Sequence, residues 1–120
     1  MVDADTLADV EGDADALFAL AGDEDLVVGE LCAVLLGAKP RYAMLRTEAT
    51  LAQVEGAWRI YVKRGTPPAR ARWLVGHELA HWWYRRGGYR GEDIVARCDA
   101  LGAAIVAPRR LVIRVRRQVG

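Results

Sequence analysis

Apolar residues follow the turns of a helix in the first part of the chain. The members of this stripe lie among acidic residues and are Leu7, Val10, Ala14, Leu17 and Phe18. The spacing predicts an amphipathic helix over residues 3–21 with an acidic outer face. A second, more apolar helix is expected over residues 26–36, capped by Asp23 or Asp25 and closed by Gly37 and Pro40.

The pattern changes to that of β-structure between residues 42 and 63. Aromatic and β-branched residues dominate the run from Trp58 to Lys63, and Glu55-Gly56 has the composition of a tight turn. This part of the chain therefore predicts two or three antiparallel strands that form a short antiparallel sheet.

A long helix is predicted directly after the strands. Thr66 can cap it, Pro67 and Pro68 suit its first positions, and Gly87-Gly88 can end it.

A second long helix is expected from about Glu92 to Ala107, with Pro108 ending it. Its apolar stripe is Ile94, Cys98, Leu101 and Ile105, and its small residues would let a neighbouring helix approach closely. Helices before and after a short sheet predict an α+β fold.

Composition and length indicate one globular domain over residues 1–120. The hydrophobic fraction is 52%, and no uninterrupted apolar run reaches the ~18 residues that span a bilayer. The N-terminal segment is acidic and lacks a signal-peptide pattern, so we expect a cytoplasmic protein with no membrane contact. Cys32 and Cys98 have no C-x-x-C spacing and are expected to be reduced core residues.

Charge is unevenly distributed although the net charge is only +1. Ten of the sixteen acidic residues precede Lys39, the first basic one, and five arginines lie in residues 109–117. The basic end could meet nucleic acid or an acidic partner, but a solvated face is the favoured interpretation, so direct nucleic-acid binding is not expected. The apolar residues of this tail, 111–113 and 115, should pack on the domain or on a second copy in a homodimer.

The predicted first long helix carries H-E-x-x-H, which uses both histidines of the chain. Because a helix has 3.6 residues per turn, His77 and His81 at i and i+4 project from one face and can bind a single Zn²⁺. Glu78 follows His77 directly in the helix. Its carboxylate can take a proton from a metal-bound water, whose pKa falls towards ~7. The motif therefore predicts a zinc site with Glu78 as the general base.

Residues 60–108 resemble the ImmA/IrrE family of metallopeptidases. The resemblance rests on IYVKRGTPPARARWLVGHELAHWW and on ARCDALGAAIVAP, of which the second is the more specific for this family. It implies a small zincin-like domain that cleaves helix-turn-helix repressors in the cytosol. Family members often continue with further helices beyond the proline, so we expect a compact or C-terminally truncated version of the domain.

The sequence offers several candidates for the third zinc ligand. In related zincins a Glu from the next helix binds the metal, and an Asp or Asn four residues later steadies a ligating histidine. Asp99 matches the second position, but Val95 stands at the first and cannot bind metal. Glu92, one turn earlier on the same face, is the predicted ligand, with Asp99, Asp93, Cys98 or an incomplete site as alternatives.

Two functions follow from these residues. The first is a zinc-dependent endopeptidase in which His77, His81 and Glu92 bind zinc and Glu78 activates water. The second is a non-catalytic module that keeps a metal between two helices and binds a repressor or DNA.

Overall fold

A computed structural model describes residues 3–107. The fold is mixed α/β, with four helices and a three-stranded sheet within that range. The elements in chain order are α1 (Ala4–Ala21), α2 (Val28–Leu36), β1 (Arg41–Ala43), β2 (Ala49–Val54), β3 (Ala57–Lys63), α3 (Pro68–Arg86) and α4 (Ile94–Val106). The predictions for Pro108 and for the basic, apolar tail lie outside the described residues.

Local capping signals set the bounds of α1 and α2. The Asp3 carboxylate accepts a hydrogen bond from the Thr6 backbone N–H at 2.8 Å, and Gly22 ends α1 with a φ of 83°. The prediction that Asp23 or Asp25 caps α2 is wrong, because α2 begins after Val27 without a side-chain cap. The Asp23 carboxylate instead accepts from the Asp25 backbone N–H, and this local turn delays the helix.

The sheet is mixed, so the prediction of an antiparallel sheet is wrong for one strand pair. β2 and β3 form an antiparallel hairpin around Glu55 and Gly56, whose φ values of 54° and 83° suit a two-residue turn. β1 then pairs with the other edge of β3 in parallel, which gives the order β1-β3-β2. β2 is therefore an edge strand of the sheet.

The N-cap of helix α3 lies one residue later than predicted. Pro67 occupies the cap position and Pro68 the first helical one, whereas the Thr66 hydroxyl donates to the Lys63 carbonyl at 2.6 Å and does not cap the helix. Gly87 ends α3 after Arg86, as the sequence predicts.

Helix α4 begins at Ile94, so its predicted start at Glu92 is wrong by two residues. Glu92 and Asp93 form a turn, in which the Ile94 backbone N–H bonds to the Gly91 carbonyl at 3.3 Å.

Two glycines let α3 and α4 pack backbone against backbone. A Cβ atom at Gly76 would lie 2.8 Å from the Gly102 carbonyl oxygen and 2.6 Å from a methyl of Val106. A Cβ at Gly102 would lie 2.9 Å from both the backbone N and the Cα of His77. This contact places α4 directly beside the histidine motif.

The core lies between the helices and one face of the sheet. Its fully enclosed side chains come from all four helices and β3: Val10, Leu17, Leu31, Cys32, Ile60, Val62, Leu79, Cys98 and Leu101. Among residues 3–107, no helix has the length and apolar character needed to cross a membrane.

The helix contact predicts opposite effects of two Gly→Ala substitutions. Gly102→Ala should lower the free energy of unfolding by about 1–3 kcal/mol, because the new methyl group collides with the backbone of His77. Gly12→Ala, in a part of α1 where nothing lies within 4 Å of the added Cβ, should raise it by about 0.5–1 kcal/mol. Urea denaturation followed by circular dichroism measures both. Equal effects of the two substitutions would contradict the close packing.

Candidate metal centre

The two histidines of α3 converge on one point. Their Nε2 atoms lie 3.0 Å apart, and their rings meet edge to face with centroids 4.7 Å apart and an interplanar angle of 66°. Two nitrogen ligands at 2.0–2.1 Å from a tetrahedral zinc are roughly 3.3 Å apart. At this separation the two nitrogens share a hydrogen bond in one tautomer, and a small adjustment would let both bind a single zinc ion.

Asp99 lies against the other nitrogen of His77. Its Oδ1 is 2.9 Å from His77 Nδ1, an ion-pair distance, although the N–H direction does not meet the geometry of a hydrogen bond and leaves this buried atom without an aligned partner. Asp99 precedes Gly102 by one helical turn, so the glycine contact between α3 and α4 positions it. A carboxylate at Nδ1 favours the tautomer with Nε2 unprotonated, as metal binding requires.

Trp73 supports the His77 ring from the preceding turn of α3. The two rings stack with centroids 5.4 Å apart and an interplanar angle of 22°, and the Arg70 guanidinium lies 4.7 Å from the Trp73 ring centroid. The sequence analysis missed this contact, although the i, i+4 spacing of Trp73 and His77 is a signal for it.

Glu78 is half-buried beside His81. Both line a small cleft of about 210 Å³ between α3 and residues 49–51 of β2. Burial raises the pKa of the Glu78 carboxyl group, and the positive charges of His77 and Arg85 partly offset this effect. A raised pKa suits a group that must accept a proton near neutral pH.

Burial also lowers the pKa of His81, and the charges of His77 and Arg85 lower it further. A lowered pKa favours the neutral imidazole, the form that binds metal, although the charge of Asp99 acts in the opposite direction.

The predicted third ligand does not join the histidines in this structure. Glu92 is exposed in the turn before α4. Asp93 is engaged elsewhere, since its carboxylate accepts from the Tyr89 hydroxyl and from Arg97 Nε at 2.9 Å. Within residues 3–107, no group of three or more His, Cys, Asp or Glu side chains is arranged to hold a metal ion.

Cys98, a further alternative ligand, belongs to the core. It is fully buried, and burial, with the nearby charges of Asp99 and Glu78, raises the pKa of its thiol to about 12. Metal binding needs the thiolate, which this environment disfavours.

Comparisons with known proteins identify no relative of this chain. The chain matches no protein-family model, and no curated protein or solved structure is significantly similar to it.

The environment of Glu78 predicts a pH-dependent gain in stability on substitution. Because the folded-state pKa of Glu78 exceeds its unfolded value, ionisation costs folding stability as pH rises through this interval. Metal-free Glu78→Gln should therefore melt at a higher temperature than metal-free wild type at about pH 7, and the difference should shrink as the pH falls below the ordinary glutamate value of about 4.3. Thermal melts across this range measure the effect. A difference that does not change with pH would contradict the assignment to ionisation.

Proposed function

We propose that the chain is a zinc-dependent endopeptidase. His77 and His81 would hold the metal, and Glu78 would be the general base. Glu92, which is exposed in the turn before α4 and does not join the histidines in this structure, is proposed as the third ligand. The observation that carries the proposal is the convergence of the two Nε2 atoms at 3.0 Å, with Asp99 behind His77. Two histidines one helical turn apart, with Nε2 atoms this close, can bind the same metal ion.

A zinc ion held by these residues would polarise the scissile carbonyl as a Lewis acid and would lower the pKa of water in the site. Glu78 takes the proton of the attacking water and returns it to the leaving amine. Asp99 lies 2.9 Å from His77 Nδ1, where its charge favours a proton on that nitrogen, and the Trp73 ring stacks on the imidazole. The burial that raises the pKa of Glu78 makes its carboxylate a stronger base for this role.

The sheet edge offers a place for an extended peptide. β2 pairs only with β3 in the sheet of the described residues, so one side of its backbone has no strand partner. Residues 49–51 of this edge line the same cleft as Glu78 and His81. A substrate segment added to β2 as a further strand would pass the general base with its peptide groups held by main-chain hydrogen bonds.

The substrate class of the proposal comes from the family resemblance. The motifs within residues 60–108 that resemble the ImmA/IrrE metallopeptidases favour a helix-turn-helix repressor as the substrate, in the cytoplasm. Neither a homodimer nor direct contact with nucleic acid is needed for this reaction.

A non-catalytic module is the second candidate, and one observation favours it. Within residues 3–107 no third metal-binding side chain joins the two histidines. Such a module would keep the metal between α3 and α4 for stability and would bind a repressor or DNA without cutting it. Substitution of the general base separates the two functions, because only the enzyme depends on it.

Glu78→Gln should keep the fold and the bound zinc but cleave at least about 10²-fold more slowly than wild type. The assay incubates each zinc-loaded protein with a helix-turn-helix repressor and follows a single cut by mass spectrometry. Arg86→Gln, an exposed change in the last turn of α3, serves as the control that retains activity. Equal cleavage by wild type and Glu78→Gln would remove Glu78 from the mechanism, and no cleavage by wild type would favour the non-catalytic module.

A further inference from the structure

A second, larger cleft adjoins the candidate metal centre on the side of the last turn of α3. Its volume is about 550 Å³, and His81 and Arg85 belong to its walls as well as to those of the smaller cleft at Glu78. Arg85 follows His81 by four residues, so the two side chains leave the same face of α3 one turn apart. Whatever occupies this cleft therefore lies next to the site of the proposed reaction.

Two other elements complete the cleft. Gln53 and Trp58 are paired across β2 and β3 and form the wall opposite α3. Gly88, with a φ of 74°, reverses the chain after α3 so that Arg90 lines the cleft together with Arg85. The cleft thus combines an aromatic ring, an amide and two guanidinium groups.

The two arginines carry positive charge that no carboxylate in residues 3–107 compensates by an ion pair. Both are exposed, and the arginines that form ion pairs among the described residues are Arg70 and Arg97. Arg85 also lines the smaller cleft, together with Glu78. No acidic side chain lines the larger cleft. This arrangement attracts a negatively charged group, and guanidinium groups bind carboxylates through paired N–H donors.

Trp58 gives one of these charges a defined position. The Arg85 guanidinium lies 5.3 Å from the centroid of the Trp58 ring, a cation–π arrangement that restrains a long side chain at little cost. A restrained guanidinium loses less entropy when it binds a ligand, so Arg85 is suited to selecting a substrate.

We propose that this cleft binds an acidic side chain, Asp or Glu, of the substrate peptide, with Arg85 and Arg90 as the specificity-determining residues. The inference rests on the proposed peptidase function and adds the substrate class to it. A peptide is favoured over a nucleic acid because this cleft shares His81 and Arg85 with the smaller cleft beside β2, and the unpaired edge of β2 can bind an extended main chain.

Binding to a protein that cannot cleave tests the inference. Glu78→Gln protein is titrated into a fluorescein-labelled peptide of alternating Ala and Glu, and into the matched peptide of alternating Ala and Gln, with fluorescence anisotropy as the readout. The Glu peptide should bind about five- to tenfold more tightly than the Gln peptide. Equal affinity for the two peptides would overturn the proposal.

Further substitutions in the same background assign the preference to the cleft. Arg85→Gln and Arg90→Gln should each reduce the preference for the Glu peptide, and Arg85→Glu with Arg90→Glu should replace it by a preference for an Ala–Lys peptide. Arg86→Gln removes the same charge from the neighbouring position, but Arg86 lies over the Trp82 and Trp83 rings and not in this cleft. The Arg86→Gln protein should keep the preference for the Glu peptide. If Arg85→Gln and Arg86→Gln reduce this preference equally, the preference is an effect of overall charge and the proposal is overturned.

A labelled duplex DNA of matched charge is the competing ligand. If it binds more tightly than the Glu peptide and depends on Arg85 in the same way, the cleft is a nucleic-acid site and the peptide assignment is overturned.

Cleavage by the zinc-loaded wild type separates this inference from the proposed function. A peptide library read by mass spectrometry should show Asp or Glu enriched at one fixed position relative to the cut. Cleavage without that enrichment leaves the peptidase standing and overturns the acidic preference. Selective binding of the Glu peptide without any cleavage would support the acidic preference and would contradict the proposed peptidase function. Enrichment, not absolute rate, is compared between variants, because the charge of Arg85 also acts on Glu78 and His81.

Discussion

The backbone contact between Gly76 of α3 and Gly102 of α4 is the constraint on which the candidate site depends. A side chain at either position would meet main-chain atoms of the other helix at less than 3.0 Å. Because α4 approaches so closely, Asp99 reaches His77 Nδ1 although it is on a different helix. The same contact sets one face of α3 against α4 and leaves the line of Glu78, His81 and Arg85 beside β2.

The C-terminal ends of α1, α2 and α3 could be predicted because their signals are local. Gly22 and Gly37 both adopt positive φ values at helix ends, a conformation that favours glycine, and they ended the predicted helices correctly. The direction of β1 could not be predicted in this way. A two-residue turn fixes β2 against β3, but the edge of the hairpin that β1 joins depends on packing far along the chain. The failed caps, Thr66 and Asp23, each bond within their own turn instead.

In the candidate site, too, the contacts set by helical spacing could be predicted, and those set by the tertiary structure could not. The i, i+4 spacing alone brings His77 and His81 together, since one helical turn separates them. Arg85 continues that line by another turn and could have been recognised from the same spacing, whereas its neighbour Trp58 comes from the hairpin and needs the tertiary structure. The third ligand depends on how the turn before α4 lies relative to α3, which no short motif encodes, and Glu92 stays a prediction.

The central claim is that the paired imidazoles of α3 hold a zinc ion, and metal analysis tests it most directly. The wild-type protein, purified and dialysed without chelator, should carry about one zinc per chain by atomic emission spectroscopy, and His77→Ala should carry almost none. His77 is only partly buried, so a folded His77→Ala protein, checked by circular dichroism, is a fair comparison. A wild-type protein as free of zinc as His77→Ala, even after incubation with excess Zn²⁺, would contradict the account.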